Sequence, residues 1–74
     1  MISEPGKDIL KKFGDHLSSI RKSKNLSFRK LALNCDIDHS DIKKIEKGEK
    51  NITLLTFVEL AKGLDVPLKE LIDF

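Results

Sequence analysis

His39, Ser40, Lys43 and Lys44 surround Ile42 and Ile45 in a short polar stretch near the middle of the chain. On a helix, residues three apart share a face, so Ile42 and Ile45 can bury together and leave the four polar side chains pointing outward. The chemistry these four offer is recognition. A lysine ammonium can donate to guanine O6 and N7, and a serine hydroxyl can donate to or accept from several bases. Asp41, among them, could accept from cytosine N4. It also stands three residues after Asp38, the spacing of a capping box, which favours a capping role. Catalytic chemistry finds no comparable set. His16 and His39 are not paired with an acid and a nucleophile at catalytic spacing. Ser18, Ser19 and Ser40 lack a strand-turn-helix elbow, and no glycine loop of the phosphate-binding kind is present. Cys35 is the single cysteine, and no Cys/His cluster has metal-ligand spacing. The expectation is a binding protein that is not an enzyme, with no metal and no cofactor.

Two helices and a tight turn, from Ser27 to Gly48, must position that face. Ala32 sits where the first helix would press on the second, and its small side chain allows close approach. Asn34-Cys35-Asp36-Ile37-Asp38 reads as the turn, since Asn and Asp tolerate left-handed backbone. Asp38 is a good N-cap for the second helix, and Gly48 supplies its C-terminal stop. Such a helix-turn-helix can lay its second helix in the major groove of DNA.

Around this unit the periodicity predicts three more helices. Residues 1–6 read as a short N-terminal arm, punctuated by Pro5 and Gly6, and residues 7–74 as one helix-turn-helix domain. The first helix is expected from Lys7 to Ser23, with Ile9, Phe13, Leu17 and Ile20 on one apolar face. Gly14 weakens it by roughly 1 kcal/mol against Ala, a cost that close packing would explain. Ser27 caps a second helix, Phe28 to Asn34, and the third runs from His39 to Lys47. After a loop from Gly48 to Ile52, Thr53 caps a fourth helix from Leu54 to Leu64. Leu54, Phe57, Leu60, Ala61 and Leu64 are its inward residues. Pro67 suits the start of a fifth helix, Leu68 to Asp73. No segment alternates as a strand, so the fold class is all-α.

Seventy-four residues make one small domain, marginal alone, to which dimerisation could add buried area. The net charge of +2 is weakly basic, so any contact with nucleic acid depends on where the lysines sit. With only four Phe as aromatics, a single-strand binder built on stacked rings is not indicated. A lone thiol suits a reducing cytoplasm, and Cys35 reads as a small apolar residue near the turn. No run approaches the ~18–20 apolar residues that span a bilayer, and the first residues lack a continuous apolar h-region, so no signal peptide is expected.

Leu17, Ile20-Arg21, Leu26-Ser27, Leu31-Ala32, Ile37, Ile42, Ile45-Glu46, Gly48, Leu60-Ala61, Leu64 and Val66, in this order, resemble the lambda-repressor and Cro-like (XRE-type) helix-turn-helix family. The likeness runs roughly from Phe13 to Ile72, and Ile45-Glu46-Lys47-Gly48 is its most specific piece. The resemblance implies a compact five-helix, lambda-repressor-like DNA-binding domain. It implies base contacts by His39, Ser40, Lys43 and Lys44. Contacts to the DNA backbone are expected from Arg29 and Lys30 on the second helix and from Lys47, Lys50 and Asn51 around the loop after the third. It pairs Arg21 with Glu46 as a structural ion pair. Dimer contacts in the family often involve the C-terminal helices, which here points to Leu71, Ile72 and Phe74; Leu68 and Leu71 are equally placed to pack on their own core.

Three departures stand out. Phe28 occupies a position where the family often has a phosphate-contacting Gln. Asp36 and Asp65 stand where it often has Gly. Asp36, Asp38, Asp41 and Glu49 bring negative charge to the proposed DNA face. The implied function is a sequence-specific, double-stranded DNA-binding transcriptional regulator, acting as a homodimer on a two-half-site operator in a bacterial or phage-infected cytoplasm. The alternative is a protein-interaction or antitoxin-type module on the same fold. Whether the chain is a complete small regulator, such as a restriction–modification controller, or part of a longer protein is left open by the sequence.

Overall fold

The computed structural model describes residues 4–74, which form five helices: α1 Glu4–Ser23, α2 Phe28–Leu33, α3 His39–Glu46, α4 Leu54–Leu64 and α5 Leu68–Ile72. Helix α1 starts three residues before the expected boundary. Pro5 and Gly6 belong to its first turn and not to an arm, because a proline early in a helix removes an N–H that has no partner there anyway. Residues 1–3 of the expected arm lie outside the described residues. Helices α2, α3 and α5 each end one residue early, at cap residues Asn34, Lys47 and Asp73.

Phe13, Leu17 and Ile20 of α1, Leu31 of α2, Ile42 and Ile45 of α3, Leu60, Ala61 and Leu64 of α4 and Leu71 of α5 form one buried cluster. Helix α3 packs on both α1 and α2, while α4 packs on α2 and α5. Three expected inward residues are outside it: Phe57 is only partly buried, packed against the cluster, and two others face solvent. Ile9 and Leu54 are largely exposed, each about one turn ahead of the first aromatic of its helix, Phe13 or Phe57, where the core begins.

The helix ends follow the sequence closely in two places and depart from it in a third. Ser27 Oγ accepts from the Lys30 N–H at 3.1 Å, and Thr53 Oγ1 accepts from the Thr56 N–H at 3.1 Å. Asp38 occupies the N-cap position of α3 but makes no side-chain cap bond. Its carboxylate instead lies 3.2 Å from His39 Nδ1. The capping-box role expected for Asp41 also fails, because its carboxylate is 3.0 Å from Lys50 Nζ. A neighbouring ammonium is a better partner for a half-exposed carboxylate than a backbone N–H already close to its own helix.

Gly48 ends α3 in left-handed backbone, φ 74°. Its N–H donates to the Ile45 carbonyl and the Glu49 N–H donates to the Lys44 carbonyl, the pair of bonds of a Schellman motif. A Cβ at Gly48 would also lie 2.9 Å from Lys11 Cα. Gly48→Ala is therefore expected to cost at least ~1–2 kcal/mol, the left-handed penalty alone, in urea unfolding. Asn25 and Asp65 end α1 and α4 with the same handedness, at φ 58° and 57°. Asp36 does not: the turn between α2 and α3 contains no positive-φ residue, contrary to the left-handed backbone expected there.

Candidate nucleic-acid interface

Helix α3 shows its two faces clearly. Ile42, Ile45 and Glu46 are buried, and Ser40, Lys43 and Lys44 are exposed, with His39 and Asp41 half-buried. At 100° per residue, Ser40, Lys44 and Lys47 stand opposite the Ile42/Ile45 face. Lys43 lies on the flank shared with Glu46, and Asp41 on the other flank, where it meets Lys50. The four residues expected to read bases thus divide: Ser40 and Lys44 project straight out, and His39 and Lys43 lie toward one side.

The turn that presents α3 is tied down from α4. Glu59 Oε1 accepts from the Asp36 N–H at 3.0 Å, and Asn34 Nδ2 reaches the Gly63 carbonyl at 3.4 Å. The Cys35 thiol donates to the Leu31 carbonyl at 3.2 Å. Burial is the main reason its pKa is raised above the ordinary thiol value, with Glu59 and Asp36 adding to the effect and a backbone hydrogen bond to Ile37 opposing it. This is a packed thiol and not an activated one. Beside it, a Cβ on Gly63 would crowd Leu31 Cδ1 and Cys35 Cβ, so α2 and α4 approach closely here.

Arg21 and Glu46 meet as the resemblance implied. Arg21 Nε donates to Glu46 Oε2 at 2.6 Å and Nη2 donates to Oε1 at 3.1 Å, while Nη1 donates to the Leu26 carbonyl at 2.7 Å. The two residues are 7% and 8% exposed, so this is a buried, bidentate pair. It joins α1 to the end of α3 and holds the chain segment that leads into α2. Phe28 packs on it, with its ring centroid 4.1 Å from Arg21 Cζ, and Lys43 Nζ lies 5.5 Å from the same centroid. A cleft of about 420 Å³ opens next to them, between Phe28, the flank of α3 and the Lys11, Asp15 and Ser18 side of α1.

Arg29, Lys30, Lys47, Lys50 and Asn51 are all exposed on α2 and around the α3–α4 connection. Lys50 is held by Asp41, which places its ammonium against α3.

The C-terminal surface needs one correction. Leu71 is fully buried in its own chain, on the inward side of α5, and is not available to a partner. Ile72 and Phe74, 62% and 50% exposed, remain on the surface. Phe74 sets its edge against Phe13 at 5.6 Å between centroids, and Phe13 also contacts Phe57 at 5.8 Å. The end of α5 and the first turns of α4 therefore flank the same ring. Leu54, Leu55 and Val58 of α4 are exposed as well, and the sequence reading did not single out this surface. Its signal was available: Leu55 and Val58 are three apart and turn away from the face that carries Phe57 and Leu60. Among the described residues, no helix is long and apolar enough to cross a membrane.

Comparison with known proteins places these features in a group. A family model described as helix-turn-helix matches residues 17–71. The chain is 41% identical over 63 residues to Control protein C.BamHI of Bacillus amyloliquefaciens, an alignment covering 84% of this chain and 78% of that protein. It is 35% identical over 65 residues to Control protein C.MunI of Mycoplasma sp, covering 86% and 88%. Among solved structures, the restriction-modification controller protein C.AhdI from Aeromonas hydrophila superposes with a TM-score of 0.80 at 36% identity, over 86% of this chain and 96% of that one. The restriction-modification controller protein C.Esp1396I, solved as a tetramer in complex with its natural 35 base-pair operator, superposes with a TM-score of 0.76 at 26% identity, over 88% and 96%.

Proposed function

The chain belongs to the helix-turn-helix family, and from that premise we propose that it is a transcriptional regulator of the restriction–modification controller kind, binding a specific double-stranded DNA operator as a homodimer. The observation that carries this reading is the outward row of α3. Ser40 and Lys44 stand clear of the core on a helix that the buried Arg21–Glu46 pair and the Asp36–Glu59 bond hold from both ends. A recognition helix must be rigid to place donors against base edges, because a bidentate contact discriminates only in one geometry. The operator-bound C.Esp1396I tetramer supports double-stranded DNA as the partner.

In this reading Ser40 and Lys44 read base edges, with His39 beside them at the entrance of the helix. Arg29, Lys30, Lys47, Lys50 and Asn51 contact the phosphate backbone, which sets register without carrying sequence information. Asp41 serves this indirectly, by holding Lys50. Ile72 and Phe74 form the centre of the dimer surface, with Leu68 and the exposed α4 leucines around them. Two copies joined there would send two α3 helices into successive major grooves about 34–36 Å apart. The work is binding, without catalysis, and its place is the bacterial cytoplasm, where the operator lies.

Lys44→Ala tests the assignment of α3. Affinity for the specific operator is expected to fall by ~30-fold to above 10⁴-fold, because the homodimer loses one base contact in each half-site, with relaxed preference at one base pair in each. Lys30→Ala is expected to weaken all duplexes alike. Binding curves against the operator and single-base variants make the comparison, and an unchanged operator affinity for Lys44→Ala would remove α3 from the reading role.

A further inference from the structure

Lys43 and Lys44 are adjacent, exposed lysines of one helix, but the structure gives them different surroundings. Successive residues are 100° apart on a helix. That step takes Lys43 away from the outward row of Ser40 and Lys44 and onto the flank of Glu46, which faces α1. Its ammonium lies 5.5 Å from the Phe28 ring centroid, at the start of α2, and its side chain lines the cleft toward Ser18 of α1. A base-reading lysine must extend into the groove. One drawn back across the α2–α3 junction sits instead at the rim of the unit, where a groove-bound helix meets the flanking strand.

Resting on the DNA-binding reading above, we propose that Lys43 grips the DNA phosphate backbone while Lys44 reads bases, and that Phe28 is the positioning residue that aims Lys43. The ring is suited to that task because it is itself held. Arg21 Cζ lies 4.1 Å from its centroid, and the guanidinium cannot drift, since it is bonded to both Glu46 oxygens and to the Leu26 carbonyl. An aromatic face attracts an ammonium through its quadrupole. A lysine so restrained has fewer rotamers to lose when it meets a phosphate. Phe28 cannot hydrogen-bond a phosphate itself; it acts through the neighbouring cation. The same buried ion pair that fixes α3 to α1 thereby also orders a contact on the DNA-facing rim.

The test measures binding of the wild type, Lys43→Ala, Phe28→Leu, Phe28→Tyr and the Lys43→Ala/Phe28→Leu double variant, across a salt series, to the operator, its single-base variants and heterogeneous duplex. Lys43 is exposed, so its alanine variant keeps the fold, and far-ultraviolet circular dichroism verifies this for every variant. Lys43→Ala should weaken operator and heterogeneous duplex by the same factor, reduce the salt slope by about 2, one phosphate contact per protomer of the dimer, and leave base preferences intact. Phe28→Leu should lose about 5- to 30-fold, one ring–ammonium contact per protomer, that is not lost again once Lys43 is alanine, and Phe28→Tyr should retain it. A changed preference at one base pair with an unchanged salt slope, in Lys43→Ala, would make Lys43 a base reader and overturn the proposal. Fully independent losses in the double variant would overturn the role of Phe28. A folded wild type that neither selects a sequence nor responds to salt would instead bring down the DNA-binding reading, and this proposal with it.

Discussion

Glu46→Ala is expected to lower the stability of the fold by about 3–5 kcal/mol, measured as the shift of the urea midpoint at constant slope. The loss comes from what remains. Arg21 is 7% exposed, and without Glu46 its Nε and Nη2 have no carboxylate, leaving only the Nη1 bond to the Leu26 carbonyl. A charge stranded out of water costs far more than the pair gained by forming. A domain of 74 residues has roughly 4–11 kcal/mol in total, so this one change takes a large share of it. The exposed pairs Lys11–Asp15 and Lys50–Asp41 are a fair contrast, since solvent screening limits such contacts to about 0–1 kcal/mol. The double replacement Arg21→Met with Glu46→Leu should recover most of the loss, because an apolar pair leaves no stranded charge. A Glu46→Ala loss under about 1 kcal/mol would mean that water screens the pair after all.

Gly14→Ala is expected to destabilise at or above the upper end of the ~1–3 kcal/mol range of overpacking changes. In an ordinary helix interior the same substitution would stabilise by roughly 1 kcal/mol, so the sign itself is the prediction. The Cβ would lie 2.6 Å from the Ile45 carbonyl oxygen, 2.8 Å from the Glu46 carbonyl carbon and closer still to the Glu46 carbonyl oxygen, against 3.4–4 Å for ordinary contact. These are backbone atoms of the last turn of α3, which cannot swing aside as a side chain would. The two helices must separate, and the Arg21–Glu46 pair beside the contact must stretch with them. Gly14→Ala and Glu46→Ala should therefore couple and not add, in a double-variant unfolding experiment. A stabilised Gly14→Ala protein would show that α1 and α3 are free to move apart.

Much of this fold was legible in the sequence because its signals are local. Apolar spacing located all five helices, and Ser27, Thr53 and Gly48 mark their ends through hydrogen bonds within a few residues. The Arg21–Glu46 pair spans 25 positions and was reached only through the family resemblance. What escaped depends on contacts that periodicity does not encode. Asp41 had the spacing of a cap, but Lys50, folded back from the loop, took its carboxylate. Leu71 and Ile72 are neighbours in a helix of five residues, too short for a pattern to separate the buried one from the exposed one. Phe28 read as the loss of a polar contact, and only the fold brings Arg21 and Lys43 onto its ring. Lys43 and Lys44 were alike as residue types; the buried position of Glu46 shows that Lys43 lies on its flank while Lys44 projects straight out.

The most direct test of the central claim is selection from a random duplex pool by the purified protein at near-physiological salt. A regulator of this kind should enrich one motif made of two half-sites, with centres one helical turn or a small multiple of it apart, and lose affinity steeply as salt rises. A folded protein that enriches no sequence, or whose binding to duplex is insensitive to salt, would contradict the account.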